Sequence, residues 1–351
     1  MHNITLITGD GIGPEVAEAA RKCVDATGVQ VDWDVQPAGL EVHEKSGDPL
    51  PNSVFDSIRK NRTALKAPTT TPLGSGYRSV NVRLRHELDL YVNMRPARTL
   101  PGTSGVEGVD LVVFRENSEG AYTGVEFSRG EEETRDFIGY VSEHKGFKFK
   151  DDSAFSIKSI SYSGSKRIIE RAFEYAVKSG RHKVTSSTKS NVMKATDGLF
   201  LKVAGEIARR YEIEHEHILA DALCMLLVMK PREFDVLVMP NLYGDIVSEI
   251  AAGLTGGIGL APGANIGDEY AVFEAIHGSA PDIAGRGIAN PTALILSACL
   301  MLDHLGEHKA ASDLRKAVED VIEEGRHVTP DLKPKSKTTT DQMANAIIER
   351  I

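Results

Sequence analysis

Three arginines, Arg85, Arg95 and Arg115, stand close together in "GYRSVNVRLRHELDLYVNMRPAR" and the following "FRENSEGAY". A guanidinium binds a carboxylate through two parallel hydrogen bonds, so three converging forks suit a di- or tricarboxylate. Ser79 and Asn81, at alternate positions, can add neutral hydrogen bonds to a further carboxylate or a hydroxyl. The same spacing also fits a solvated basic face balanced by Glu87 and Asp89.

A second group is acidic. In "PNLYGDIVSEIAAGL", Asp245 and Glu249 fall on one face of a helix by their four-residue spacing. With Asp221 of "ILADAL" they supply the oxygen ligands that Mg²⁺ or Mn²⁺ prefers, and a cation there acts as a Lewis acid on a bound hydroxyl and carboxylate. Acids in a first turn equally complement the helix dipole. Lys189, in "TSSTKSNVMKATDG", and Tyr122, in "EGAYTG", are candidates for proton exchange. Position alone assigns neither.

Two glycine-bearing loops complete the inventory. "TLITGDGIGPEV" follows a strand and opens a helix, close to the dinucleotide-binding fingerprint, but Pro14 stands at its third glycine. A tight turn and a proline-started helix account for it, and its glycines still allow close backbone approach to a ligand. "EAIHGSAPDIAG" sets Asp282 just after a small-residue turn, with Ile283 beside it.

These residues must be held by an α/β framework. Strands are expected at 4–8, 29–35, 63–68, 88–94, 109–115, 182–187 and 234–240. Helices are expected at 14–27, 164–180, 195–211, 243–255, 289–305 and 308–325, giving a largely parallel sheet. Residues 123–163 lack helical periodicity. They read as a disordered insert, a β-hairpin arm or a dimerisation element, and six aromatics between 127 and 155 count against plain disorder. With 351 residues and 41% hydrophobic content the chain can bury a large core. A net charge of −9 sets aside a general nucleic-acid surface, and no apolar run spans a membrane. The N-terminus enters a strand at once, so no targeting peptide is expected. Cys23, Cys224 and Cys299, an odd set without metal spacing, read as buried free thiols in a reducing cytoplasm.

Taken in order, "GDGIGPE", "LRHELDLYVNMRP", "FRENSEGAYTG", "TKSNVMKATDGLF", "PNLYGDIVSE", "HGSAPDIAG" and "NPTALILSACLML" resemble the β-decarboxylating dehydrogenases. That family comprises isocitrate, homoisocitrate, 3-isopropylmalate and tartrate dehydrogenases, and the likeness is strongest to the NAD-dependent isocitrate enzymes. The resemblance implies a two-domain fold on one shared, twisted mixed sheet without classical Rossmann topology. Residues 1–98 and 254–351 would form the large domain, 99–253 the small one, and 123–163 a dimer clasp. It implies that Arg85, Arg95 and Arg115 bind substrate carboxylates, with Ser79 and Asn81 on the distal one and Asn191 nearby. Tyr122 and Lys189 match the proton-transferring pair, and Asp221, Asp245 and Glu249 the metal positions. Lys189 and Asp221 would enter the site from the partner of a homodimer. Ile12, Thr71, His277, Gly278, Ala280, Asp282, Ile283 and Asn290 match cofactor-binding positions.

The resemblance also gives Asp282 a purpose. Its carboxylate can accept hydrogen bonds from the adenine ribose, and it repels the 2′-phosphate of NADP, where NADP-using relatives carry Lys and Tyr at this pair. NAD is therefore expected. Isopropylmalate enzymes need an apolar contact where this chain has Ser79 and Asn81, which favours isocitrate over homoisocitrate and 3-isopropylmalate. A non-catalytic regulatory subunit of a hetero-oligomer is the competing reading, opposed by the retention of Tyr122, Lys189 and Asp245. Two departures stand out: Glu249 replaces the family's Asp, and "TPDLKPKSKTT" lacks the glycines of relatives.

Overall fold

Alternating apolar and charged runs fold into strands and helices throughout the computed structural model, which describes residues 1–72 and 79–351. Gly76, Tyr77 and Arg78 of the arginine-bearing stretch lie outside the described residues. The first part of the chain gives β1 (His2–Ile7), α1 (Gly13–Ala26), β2 (Val31–Gln36), α2 (Leu40–Ser46), α3 (Asn52–Asn61) and β3 (Thr63–Lys66). Then come α4 (Val80–Glu87), β4 (Val92–Arg98), β5 (Asp110–Glu116), β6 (Glu126–Phe127), α5 (Glu132–Lys145) and β7 (Phe155–Ser156). The third quarter holds α6 (Tyr162–Lys178), β8 (Lys183–Thr188), α7 (Thr196–Ala208), β9 (Glu214–Leu219), α8 (Ala220–Met229), β10 (Val236–Met239) and α9 (Asn241–Leu254). The last elements are β11 (Pro262–Ile266), β12 (Ala271–Ala275), α10 (Thr292–His304), α11 (His308–Glu324) and α12 (Thr340–Ile348).

Ten strands form one open sheet in the order β2-β1-β3-β12-β11-β4-β5-β10-β8-β9. Both wings are parallel, as the strand–helix alternation requires. The centre is not: β12–β11, β11–β4 and β4–β5 are antiparallel. The sheet is thus largely parallel, as the strand–helix alternation predicts, and its antiparallel centre makes it mixed, as the family resemblance implies.

Helices cover both faces. On one wing α1, α10, α11 and α12 share a core with Leu6, Leu65 and Phe273, while α3 and α4 pack with Ile7, Ala64 and Val272 on the other side. On the other wing α6 and α7 bury Val112 and Phe114 of β5, and α8 and α9 bury Leu111 and Val113. That split is the period-two alternation of a strand buried on both faces.

Residues 123–163 contain more order than their periodicity suggests. β6 and β7 pair antiparallel and enclose the fourteen-residue helix α5. Only Thr134 and Ile138 of α5 are buried, so no apolar stripe marks it in the sequence. Phe127, Phe137, Phe155 and Phe149 form a chain of stacked and edge-to-face contacts with ring centroids 4.7–5.0 Å apart, which is what these aromatics do. Cys23 and Cys299 are buried and free, as expected, whereas Cys224 is only half-buried.

Candidate active site

Cross-strand partners share a face of a sheet, and the registers place one set of polar side chains together. Lys66 pairs with Glu274, Asn93 with both Asn265 and Arg115, and Arg95 follows Asn93 by two. All therefore lie on one face of the sheet's centre. Lys66 donates to Glu274 at 2.9 Å, and Arg85, from α4, donates to Asn265 at 3.1 Å and to Glu274 at 3.3 Å. Asn93 and Asn265 complete this buried network. Burial alone raises the Glu274 carboxyl, but Lys66, then Arg85 and Asn265, hold its pKa down to about 2.

Helix α9 supplies the acids. Asp245 forms an ion pair with Arg115 and accepts the Tyr122 hydroxyl proton in a hydrogen bond. Arg95 lies 3.5 Å from Asp245 and 3.4 Å from Glu249, and it donates to Ser248 at 2.7 Å. Arg115 is 1% exposed and also donates to Asn241 at 2.9 Å. Gly244 makes room for it, since a Cβ there would meet the Arg115 side chain at 2.5 Å. Burial, then Arg85 and Arg95, lower the Arg115 pKa to about 9, which leaves it cationic at neutral pH. Burial pushes the Asp245 carboxyl up, but Arg115, the Tyr122 hydroxyl and Arg95 more than offset it. Burial and the Asp245 bond raise the Tyr122 pKa, so its proton is held.

Lys189 and Asp221 form a separate pair at 2.7 Å, with the Asp221 side chain 66% exposed. The Lys189 bond lowers the Asp221 pKa. Among the described residues no hydrogen bond or ion pair joins this pair to Asp245, Glu249 or Tyr122, and within one chain no three His, Cys, Asp or Glu side chains gather around a metal position. Asn191 is exposed in the turn after β8.

The two glycine-bearing loops meet. Ile12 N–H donates to the Ser279 carbonyl at 2.9 Å, and the Thr70 and Ser279 hydroxyls are 2.6 Å apart. Gly11 is obligatory at this junction: its φ is +59°, and a Cβ would stand 2.1 Å from the Ser279 carbonyl oxygen. Asp10 fastens the same corner by accepting from the N–H groups of Leu40 and Thr70. Ala280, at φ +38°, turns the chain so that Asp282 is exposed while Ile283 packs on the core. Gly278 and Thr71 are exposed nearby, and Ser79 caps α4 through its backbone position without a side-chain bond. Asn290 is already committed, donating to Asp331 at 2.9 Å and accepting from Thr292 at 3.0 Å.

Between arginines and loop lies a cavity of about 120 Å³, lined in part by Asn81, Arg85, Arg95, Glu274 and His277. Asn81 Oδ1, Arg95 Nε and His277 Nε2 are buried here with no hydrogen-bond partner among the described residues. Burial lowers the His277 pKa, aided by Lys66, so its imidazole is neutral. Three unpaired buried polar atoms on one cavity are costly unless a ligand meets them. Lys66, Glu274, Asn93 and Asn265 are not among the residues whose type and spacing mark them in the sequence. The signal for the first two was a lone charge inside the apolar strands "TALKAP" and "AVFEA", where only a paired charge survives burial.

The chain matches the isocitrate/isopropylmalate dehydrogenase family over residues 3–347. It is similar to a crystal structure of isocitrate dehydrogenase from Methylococcus capsulatus, with a TM-score of 0.92 and 52% identity, covering 100% of this chain and 99% of that one. It is 45% identical over 338 residues to the mitochondrial isocitrate dehydrogenase [NAD] catalytic subunit 5 of Arabidopsis thaliana, covering 95% of this chain and 85% of the relative. It is also 44% identical over 333 residues to the chloroplastic 3-isopropylmalate dehydrogenase of Solanum tuberosum, covering 94% and 87%.

Proposed function

Because the chain belongs to the isocitrate/isopropylmalate dehydrogenase family, we propose that this β-decarboxylating dehydrogenase converts isocitrate to 2-oxoglutarate and CO₂ with NAD and Mg²⁺ or Mn²⁺. The observation that carries this is the set of buried atoms of Asn81, Arg95 and His277 that have no partner among the described residues, on residues lining one polar cavity. A polycarboxylate beside a carboxamide-bearing cofactor offers these atoms the donors and acceptors they lack. The described wall of that cavity carries Lys66, Asn81, Arg85, Arg95 and Glu274, which suits a γ-carboxylate better than an isopropyl group.

Arg85, Arg95 and Arg115 hold substrate carboxylates, and Ser79 and Asn81 meet the distal one. The buried, mutually repelling guanidiniums favour an anion among them. Asp245 and Glu249 lean on a common Arg95 Nη1, and their oxygens, with those of a partner's Asp221, fit the donor preference of a hard cation. When bound, NAD supplies the hydride acceptor and the cation a Lewis acid at the substrate hydroxyl and carboxylate. Lys189 takes the C2 hydroxyl proton as hydride leaves that carbon. Tyr122, its proton held by burial and Asp245, returns a proton to the carbon that CO₂ has left. Exposed Asp282 selects NAD by accepting from the ribose hydroxyls and repelling a 2′-phosphate.

A homodimer with shared sites is part of the proposal. It is supported by the lack, among the described residues, of any hydrogen bond or ion pair joining Lys189 and Asp221 to Tyr122 or Asp245. An exposed apolar face on α8 and α9 (Met225, Val228, Met229, Leu242 and Ile246) also supports it. The retained Tyr122, Lys189 and Asp245 oppose a regulatory subunit without activity. The test is Asn81→Leu, which should lower kcat/KM for isocitrate at least about tenfold and raise it for 3-isopropylmalate. Equal losses on both substrates would take Asn81 out of substrate selection.

A further inference from the structure

The opposite face of the same central strands is also open. Alternation sends Asn93, Arg95 and Arg115 to the front, and Met94, Pro96 and Val112 to the rear. β4 and β11 pair only as far as Met94 with Ala264, so beyond it the sheet has a seam at Pro96. Over this seam the helices part, α6 to one side and α10 with α11 to the other. They leave a cleft of about 580 Å³, whose floor includes Met94, Val112, Ile266 and Phe273. That volume is in the range of about 300–1,000 Å³ typical of small-molecule sites. It lies apart from the front cavity, with which it shares no lining residue.

The rim decides what class of molecule fits. Its three arginines are neutralised: Arg98 by Glu319 at 2.9 Å, Arg181 by Asp110 at 2.6 Å and Arg315 by Asp303 at 2.7 Å. These pairs consume all three carboxylates lining the cleft. Lys178, exposed at the end of α6, has no hydrogen-bond or ion-pair partner among the described residues. The last carbonyls of α6 do not occupy it either, since those of Tyr175, Ala176 and Val177 accept from Ser179, Arg181 and Gly180. His304 stands at the same rim, its ring 5.5 Å from that of Phe273 on the floor. An apolar floor with aromatic side chains, under a single uncompensated ammonium, is complementary to a flat apolar body bearing one negative group.

We propose that this rear cleft is a second ligand site, for a small amphipathic organic anion whose apolar part lies on Met94, Val112, Ile266 and Phe273 and whose charged group is held by Lys178. The proposal stands apart from the dehydrogenase reading, because none of these residues belongs to the front site.

The probe is 8-anilinonaphthalene-1-sulfonate, an aromatic body with one sulfonate, titrated into the full chain by fluorescence and calorimetry with NAD at saturation. One saturable site per chain is expected. Lys178→Glu should weaken binding at least about tenfold, equivalent to about 1.4 kcal/mol, and Lys178→Arg should retain it. Leu300→Glu, on the α10 wall of the cleft, should abolish it. If Leu300→Glu unfolds, Lys178→Glu still decides, because exposed Lys178 can be exchanged without opening the core. Weaker probe binding with NAD at saturation than without it overturns the proposal, as does binding unchanged in Lys178→Glu or no saturable site. Loss of probe binding as protein concentration rises also overturns it, since a second copy would then be the occupant.

Discussion

Replacing Glu274 with glutamine removes the one negative charge shared by two enclosed cations. Glu274 and Lys66 are 5% and 1% exposed, with 2.9 Å between their charged atoms, and Arg85 lies 3.3 Å away on the other oxygen. The Glu274 pKa falls from 4.5 to about 2, against the opposing push of burial. At 1.36 kcal/mol per pH unit that drop corresponds to about 3 kcal/mol of stabilisation at neutral pH. Removing one partner of a buried ion pair typically costs about 3–5 kcal/mol, because the other charge is left uncompensated. Glu274→Gln should therefore lose about 3–4 kcal/mol in urea unfolding at pH 7 and fixed protein concentration. The folded pKa lies below the unfolded one, so this stabilisation is complete above about pH 4.5 and disappears as the pH falls toward about 2. The gap between wild type and variant should accordingly narrow on acidification below about pH 4.5. Adding Lys66→Met to Glu274→Gln should recover part of the loss. A loss under about 1 kcal/mol at neutral pH, or a gap that ignores acid, would refute the argument that this carboxylate is held ionised by its two cations.

At Asp282, a 2′-phosphate about 4 Å away meets several kcal/mol of repulsion at an effective dielectric near 20, reduced by solvent at this exposed position. NAD should thus be preferred about a hundredfold in kcat/KM. Asp282→Asn should erode that preference, and Asp282→Lys with Ile283→Tyr should move it toward NADP; equal use of both cofactors by the wild type would sink the idea. Deleting 128–150, with a short Gly-Ser bridge, removes α5 and its aromatic stack and should weaken the dimer and its activity together. A fully active monomer in sedimentation and assay would contradict both the clasp and the shared site.

Much of the framework is legible because its helices bury one stripe. α1, α6, α10 and α11 fall within three residues of the spans their periodicity predicts. The strand expected at 88–94 shows why function blurs the pattern. Leu88, Leu90 and Tyr91 are buried, but ahead of β4, which runs on through Asn93, Arg95 and Pro96. A central strand that delivers polar groups to a site does not read as a strand. α8 escapes for the opposite reason: its apolar residues continue around the exposed side, with Met225, Val228 and Met229 facing outward.

Of the candidate site, the arginines, Asp245, Glu249 and Tyr122 became legible only through the family resemblance of their ordered motifs, and the structure brings them together. The buried pair of Lys66 and Glu274 was not. Each is a single charge in its own strand, and only the parallel register of β3 and β12 makes them neighbours. The same holds for Lys158, which donates to fully buried Asp197 at 2.6 Å and to Tyr243 at 3.2 Å. Asp197 in turn accepts from the Lys189 backbone N–H at 3.3 Å. Long-range partners of this kind are set by topology, which local spacing does not encode.

The direct measurement of substrate preference is kcat/KM for isocitrate, homoisocitrate and 3-isopropylmalate side by side, with NAD and Mn²⁺, following NADH absorbance. The polar wall formed by Asn81, Arg85 and Arg95 predicts isocitrate ahead of both others by at least about tenfold. Turnover of 3-isopropylmalate at an equal or higher kcat/KM would contradict it.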